Sequence, residues 1–266
     1  MGEPIRVLHI LQRMEAGGTQ ALLMNIYRKI DRTKIQFDFL VVYKEKQFYD
    51  DEIRKMGGRV YKLSFREDLN LPKFQKELAE FFKQHREYKI VHCHAYTIGY
   101  FCLSAAKKTG IPIRIAHSHN NETVHDIKYL PKLVMQRIFT KNATELFACS
   151  EEAGKYLFKD KPFKVLKNAI DSQNFIADDK IREKTRKELG VEDKFVVGHV
   201  GRFHPQKNHD FLIDIFAEIK KKRSDAELIL VGTGPLEEKI KSKVAERGFS
   251  NCVHFLGNRK DMNRIY

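Results

Sequence analysis

Four histidines fall into two pairs whose spacing suits one kind of chemistry. His92-Cys93-His94 and His117-Ser118-His119 each hold imidazoles at i and i+2, which on a β-strand points both rings to one face. Imidazole ligates metals and also gives and accepts hydrogen bonds near neutral pH. No carboxylate or cysteine cluster completes a metal site beside them, and no D-x-D occurs in the chain. Hydrogen bonding to a polar ligand is therefore the stronger reading than metal ligation. At least one of the four is expected to be a satisfied structural histidine.

A second set of residues suits phosphate. In Gly198-His199-Val200-Gly201-Arg202-Phe203-His204-Pro205-Gln206-Lys207-Asn208 an apolar strand ends in Gly-Arg, and Lys207 stands at the mouth of the next helix. Two cations beside a helix N-terminus form the arrangement a diphosphate requires. Gly17-Gly18-Thr19-Gln20 and Gly232-Thr233-Gly234-Pro235 each link a strand to a helix. Glycine there lets backbone N–H groups approach an anion, although an ordinary tight turn uses the same residues. Val253-His254-Phe255-Leu256-Gly257 is a further strand that ends in glycine.

The elements that must position these groups alternate. Apolar runs predict strands over 5–11, 37–42, 59–63, 90–94, 111–117, 146–150 and 163–168, with helices over 19–30, 49–56, 71–85, 98–108 and 129–141. That β-α rhythm predicts a parallel sheet covered on both faces. After 168 comes a polar, lysine-rich stretch, 169–193, which reads as a connection with a short charged helix. Strands over 195–200, 228–231 and 253–256, with helices over 211–222 and 236–247, then predict a second sheet domain over 194–266. Three strands make a poor independent unit, so the second domain is expected to be incomplete.

Composition narrows the class. At 42% hydrophobic residues the 266-residue chain can bury a substantial core, and 32% charged residues suit a water-exposed surface. No run approaches the roughly 20 apolar residues of a membrane span, and residues 1–6 show no signal-peptide core, so a cytoplasmic location is expected. Cys93, Cys102, Cys149 and Cys252 form no C-x-x-C pair and read as buried free thiols. The net charge of +14 favours anionic partners. The basic residues do not interleave with aromatics in a recognition motif, which argues against nucleic acid. The missing G-x-G-x-x-G fingerprint argues against a dinucleotide-dependent dehydrogenase.

Taken in order, these stretches resemble glycosyltransferase family 4 of the GT-B fold, and most of all its bacterial exopolysaccharide and capsule members. The order is Gly17-Gly18, H-x-H, H-S-H-N, Ala148-Cys149-Ser150-Glu151-Glu152, Asn168-Ala169-Ile170-Asp171 where the family has N-G-I-D, then G-R-F-x-x-x-K-N, V-G-x-G-P and F-L-G. Gln20 stands where the family often has Glu. The likeness covers essentially the whole chain and implies an α/β architecture of two Rossmann-like parallel-sheet domains. It implies a retaining transferase of hexosyl type that moves a sugar from a nucleotide-diphosphate donor to a saccharide or lipid-linked acceptor, without an essential metal or other cofactor. Arg202 and Lys207, with Gly17 and Gly18, would hold the donor diphosphate. His119 or His117 would line the reaction centre, since the H-S-H-N spacing permits two alignments. Gly232, Gly234, Leu256 and Gly257 would border the nucleoside, and His94 would lie on the acceptor side. The family's segment with two glutamates eight positions apart is not present before Tyr266. Truncation is therefore expected, this stretch alone is expected to be inactive, and a non-catalytic nucleotide- or sugar-binding remnant is the alternative. The mixed basic and apolar segment 128–139 predicts reversible attachment to an anionic membrane surface, or a helix half-buried on the sheet.

Overall fold

The structure is a computed structural model that describes residues 2–63, 65, 69–120, 134–135 and 137–266. Residues 128–133 and 136 of the expected helix over 129–141 and of the segment 128–139 lie outside the described residues; 134, 135 and 137–139 are helical and lead into a 3-10 turn at Thr140–Asn142. The chain divides into two compact units, 1–170 and 171–266.

The first unit holds seven parallel strands: β1 (Ile5–Ile10), β2 (Ile35–Val41), β3 (Val60–Lys62), β4 (Ile90–Cys93), β5 (Ile113–Ser118), β6 (Glu145–Ala148) and β7 (Lys164–Val165). Their order is β3-β2-β1-β4-β5-β6-β7. Strand order therefore reverses between β1 and β4, and the crevice at such a reversal is where open parallel sheets bind ligands. The helices are α1 (Gly18–Lys29), α2 (Asp50–Lys55), α3 (Leu71–Gln84), α4 (Tyr96–Lys108) and α5 (Glu151–Phe158).

Alternation along the strands builds two cores. Leu8, Ile10, Val91 and Cys93 pack with Phe74, Leu78, Ile98 and Leu103 of α3 and α4. Phe37, Phe39 and Val41 pack with Leu23, Met24 and Tyr27 of α1 and Ile53 of α2. The helix α5 was not expected from sequence. It is only eight residues long, too short for periodicity to show, but its start is marked: Ser150 accepts a hydrogen bond from the Ala153 backbone, with Glu151 and Glu152 in the first turn. Cys93, Cys102 and Cys252 are buried as expected, whereas Cys149 is only half-buried. At the edge of the undescribed stretch, Phe139 is fully buried, and a Cβ on Gly99 of α4 would collide with its ring. That end of the basic segment packs on the domain, while Val134 is exposed.

The second unit carries β8 (Phe195–Val200), β9 (Ala226–Val231) and β10 (Val253–Phe255), parallel in the order β10-β9-β8. Its helices are α6 (Asp179–Leu189), α7 (His209–Lys222), α8 (Glu237–Glu246) and α9 (Met262–Ile265). The stretch read from sequence as a connection is partly built into this unit. Asp178 caps α6, Gly190 ends it at φ 68°, and the following Val191 is buried against Ile229 and Val231 of the sheet. Among the described residues no helix is long and apolar enough to cross a membrane.

One buried charge clamps the first sheet. Asp38 on β2 is fully buried, accepts from Arg6 Nε at 2.6 Å and Nη2 at 2.5 Å, and also accepts from the Arg59 backbone at 2.7 Å and Tyr88 Oη at 2.7 Å. Burial, then the hydrogen bonds to Tyr61 and Asp38, raise the Tyr88 phenol pKa and keep it neutral. Truncation of Arg6 would leave the carboxylate desolvated without its counter-charge. Arg6→Ala is therefore expected to cost about 3 kcal/mol, the lower end for a broken buried pair because two donors remain. The midpoint of urea unfolding is the measurement, and an unchanged midpoint contradicts the clamp.

Candidate functional site

The two histidine pairs do meet, and a fifth histidine joins them. His9 lies on β1, His92 on β4 with His94 just past its end, and His117 on β5 with His119 just past its end. The parallel register sets His9 opposite His92. Within each pair the rings stack as the i, i+2 spacing predicts, with centroids 4.3 Å apart for His92 and His94 and 4.1 Å apart for His117 and His119. Three direct nitrogen contacts knit the layer: His9 Nδ1 to His94 Nε2 at 3.2 Å, His94 Nδ1 to His119 Nε2 at 2.8 Å, and His92 Nε2 to His117 Nδ1 at 3.0 Å.

The layer is nearly dry. His9, His92, His94 and His117 are buried, His117 completely, whereas His119 is partly exposed. Phe37, Phe39 and Phe147 wall it in. Burial first, then the neighbouring histidines, pushes the pKa of His9 down to about 3 and that of His117 to about 2. Burial lowers His119 to about 4, and His92 and His94 fall well below the ordinary imidazole value. All five rings are therefore neutral at pH 7. His9 Nε2, His117 Nε2 and His119 Nδ1 are buried without a hydrogen-bond partner among the described residues.

The loop that carries His119 is held from α4. Tyr96 Oη accepts from the backbone N–H of His119 and, at 2.9 Å, from that of Asn120. Ser118 is structural: its Oγ donates to the Ala153 carbonyl at 2.6 Å. At the end of β1, Gly17 caps α1 and Gly18 opens it. A Cβ on Gly18 would meet nothing within 4 Å, so the helix N-terminus is open there. Gln20 folds back, donating to the Arg13 carbonyl at 2.8 Å.

In the second unit, three strand ends are laced by backbone hydrogen bonds. Phe203 N–H donates to Thr233 at 3.1 Å, Leu236 N–H to Phe203 at 3.1 Å, Gly232 N–H to Gly257 at 2.8 Å and Leu256 N–H to Leu230 at 2.9 Å. A Cβ on Gly232, at φ 137°, would collide with the Gly201 carbonyl, and one on Gly234 would lie 2.5 Å from the Phe203 carbonyl. These glycines allow the close approach of two loops, a packing role visible only in three dimensions. Arg202 and Lys207 are exposed on this rim, beside the start of α7. Neither belongs to an ion pair among the described residues. The Lys207 stem returns over Gly201, so that a Cβ there would be 3.2 Å from its Cγ and Cδ. Burial, then Lys207, lowers the pKa of His199, while burial, His199 and Lys207 lower that of His209. The rim is therefore cationic at Arg202 and Lys207 and faces a helix N-terminus, which suits an anion.

Sequence reasoning missed His9 and Tyr96. His9 is a single polar residue in an apolar strand, and only strand pairing reveals its neighbour His92. Tyr96 is an ordinary-looking residue at a helix start.

The neutral layer sets a pH dependence. The folded pKa values lie below the unfolded value of about 6.5, so the unfolded chain binds more protons under mild acid. Stability from the layer is present above pH ~6.5 and falls as pH drops toward the folded values. Each histidine that stays neutral costs at most about 1.4 kcal/mol per pH unit. Urea unfolding between pH 7 and 5 is expected to weaken steadily, and a flat profile contradicts a desolvated layer.

Comparison with known proteins agrees with this architecture. The family model described as Glycosyltransferase Family 4 matches residues 16–174, and that described as Glycosyl transferases group 1 matches residues 181–266. The putative glycosyltransferase EpsF of Bacillus subtilis is 33% identical over 270 aligned positions, which take in 98% of this chain and 70% of EpsF. The capsular polysaccharide biosynthesis glycosyltransferase CapH of Staphylococcus aureus is 25% identical over 264 positions, 95% of this chain and 70% of CapH. Among solved structures, HepE of Anabaena in complex with UDP-glucose superposes with a TM-score of 0.79 at 20% identity, over 98% of this chain and 71% of HepE. The lipopolysaccharide glycosyltransferase WaaG superposes with a TM-score of 0.71 at 15% identity, over 97% of this chain and 72% of WaaG. A seven-strand and a three-strand parallel sheet, the motif order along the chain and these matches lead to one assignment: the chain belongs to glycosyltransferase family 4 and has the GT-B fold.

Proposed function

We propose that the chain moves a sugar, with retention, from a nucleoside-diphosphate donor to an acceptor hydroxyl in surface polysaccharide or glycolipid synthesis. The observation that carries this reading is the rim of the second sheet, where Arg202 and Lys207 stand without ion-pair partners at a helix N-terminus. Cations held there would neutralise the diphosphate and stabilise it as a leaving group. Gly232, Gly234, Leu256 and Gly257 border the same rim, on the side assigned to the nucleoside. The names of EpsF and CapH support a polysaccharide product, and the HepE structures with UDP and glucose and with UDP-glucose support a nucleotide-sugar donor.

In the first unit, His119 is the stronger candidate for the reaction centre. It is partly exposed and has Nδ1 without a partner, whereas His117 is fully buried. The open N-terminus of α1 at Gly18 suits an approach to phosphate or sugar, whereas the Gln20 side chain lies over Gly17, and His94 supports His119 from behind at 2.8 Å. Catalysis would rest on positioning and charge stabilisation and would need no metal for the transfer step.

Arg202→Ala and Lys207→Ala are each expected to weaken nucleoside-diphosphate binding by about 1.5–3 kcal/mol, roughly 10- to 150-fold in Kd. Titration calorimetry with UDP, GDP and ADP reads this, and unchanged affinity in both variants removes the diphosphate assignment. The basic surface also favours reversible attachment to an anionic leaflet, at about 1 kcal/mol per basic residue near the surface. The chain is expected to float with anionic vesicles at low salt and to be released at high salt. Failure to float under every condition assigns the charge to solubility instead.

A further inference from the structure

His199 stands beside the cationic rim of the second unit with a nitrogen that bonds to nothing. It lies on β8 two residues before Gly201, so the two face the same side of the strand. A Cβ on Gly201 would stand 3.1 Å from His199 Nε2 and 3.2 Å from Cγ and Cδ of Lys207. The imidazole and the Lys207 stem therefore share the space over Gly201. His199 is partly exposed, but its Nε2 is buried there without a hydrogen-bond partner among the described residues. On the strand side it stands in register with Leu230 of β9. From α7 it meets His209, with ring centroids 4.8 Å apart and the rings nearly perpendicular. The charged and titratable groups that face it are thus Lys207 and His209, and neither is acidic.

We propose that His199 takes up a proton when a nucleoside-diphosphate donor binds at Arg202 and Lys207, and that it then donates from Nε2 to a phosphate oxygen. This inference rests on the assignment of the rim to the donor diphosphate, and it adds a third contact and a dependence on pH. Without ligand, burial and the Lys207 ammonium hold the imidazole neutral. The diphosphate brings negative charge into the same space, which cancels the field of Lys207 and favours the charged ring. The imidazolium gains a charge-assisted hydrogen bond from a nitrogen that had none. The proton comes from solvent, and no bond of the ligand breaks. His209 is the poorer place for that proton. It is 2% exposed, stacks on Phe203 with centroids 4.2 Å apart and opens α7, where the helix dipole disfavours a cation.

The sign of the effect follows. The pKa of His199 in the free chain lies below the ordinary imidazole value, and binding raises it. Between the two values the complex holds more protons than the free chain. Donor affinity therefore rises as pH falls through that window, by at most about tenfold per pH unit.

The test titrates UDP-glucose, GDP-mannose and ADP-glucose into the chain by calorimetry at pH 8, 7 and 6. Their diphosphates are diesters that keep the same charge through this range, so the ligand itself adds no pH dependence. The nucleotide sugar that binds is expected to do so at least about fivefold tighter at pH 6 than at pH 8. At pH 6.5 its binding heats in Pipes and in Bis-Tris, which differ in ionisation enthalpy, are expected to show proton uptake of up to about one per site. His199→Gln stays neutral at every pH. It is expected to match the parent within about twofold at pH 8, to lose the tightening at pH 6 and to take up no proton. His85→Asn, in the first unit at an exposed contact with Glu87, is expected to behave as the parent does. Melting temperatures at each pH check that the variants are folded, and the buffer comparison on the parent chain stands without any variant. Equal Kd at pH 8 and 6, binding without proton uptake, or a His199→Gln variant that keeps the pH dependence would overturn the role of His199. Failure of all three nucleotide sugars to bind the parent chain at any pH would instead remove the diphosphate assignment itself.

Discussion

The parallel ladder of β1, β4 and β5 is the constraint on which the rest of the site depends. Parallel strands end at the same edge of the sheet, and their register sets His9 opposite His92. The pleat then returns the same face two residues later, which stacks His94 on His92 and His119 on His117. Five imidazoles thus share one layer although 110 residues separate the first from the last. A slip of one residue on any of these strands would turn its histidines into the opposite core, among Leu8, Val91, Cys93 and Ala116.

Burial decides what that layer can do. Phenylalanine walls and the absence of a nearby carboxylate among the described residues leave the rings neutral, so they act as hydrogen-bonding groups and lone pairs, not as cations. The rim of the second sheet is the opposite case. Arg202 and Lys207 are solvated, unpaired by carboxylates, and set beside the N-terminus of α7. Many other basic residues of this strongly positive chain are spent in local ion pairs, such as Lys243 with Asp210 and Asp214, and Arg28 with Glu52. What distinguishes Arg202 and Lys207 among the unpaired basic residues is their place between the end of β8 and the start of α7.

Backbone packing holds that rim in shape. The loops after β8, β9 and β10 bond to one another through main-chain groups, and Gly232 and Gly234 permit the approach because a Cβ would strike the carbonyls of Gly201 and Phe203. A glycine motif that reads as a ligand contact is thus also a scaffold. In the first unit the buried Asp38, with Arg6 and Tyr88, ties β1 and β2 to the segment before β4, fixing the strands from which the histidines project.

Much was legible in the residues alone. All ten strands coincide with apolar runs, as strands covered on both faces must be apolar throughout, although β7 and β8 are only partly buried. The i, i+2 histidine pairs, the Gly-Arg strand end and the helix starts at Gly18 and His209 are local patterns with local physical causes. The short helix Glu151–Phe158 was not legible because eight residues show too little periodicity, and the incorporation of 178–191 into the second unit and the packing role of Gly232 and Gly234 were not legible because each depends on a neighbour distant in sequence. His9 is the clearest case. As one polar residue inside an apolar strand it carries no sign of its partners, and its neutrality follows from the walls that close around it. Sequence determined which chemical groups stand at the strand ends; only the tertiary structure decided which of them touch water, because desolvation depends on neighbours from the whole sheet.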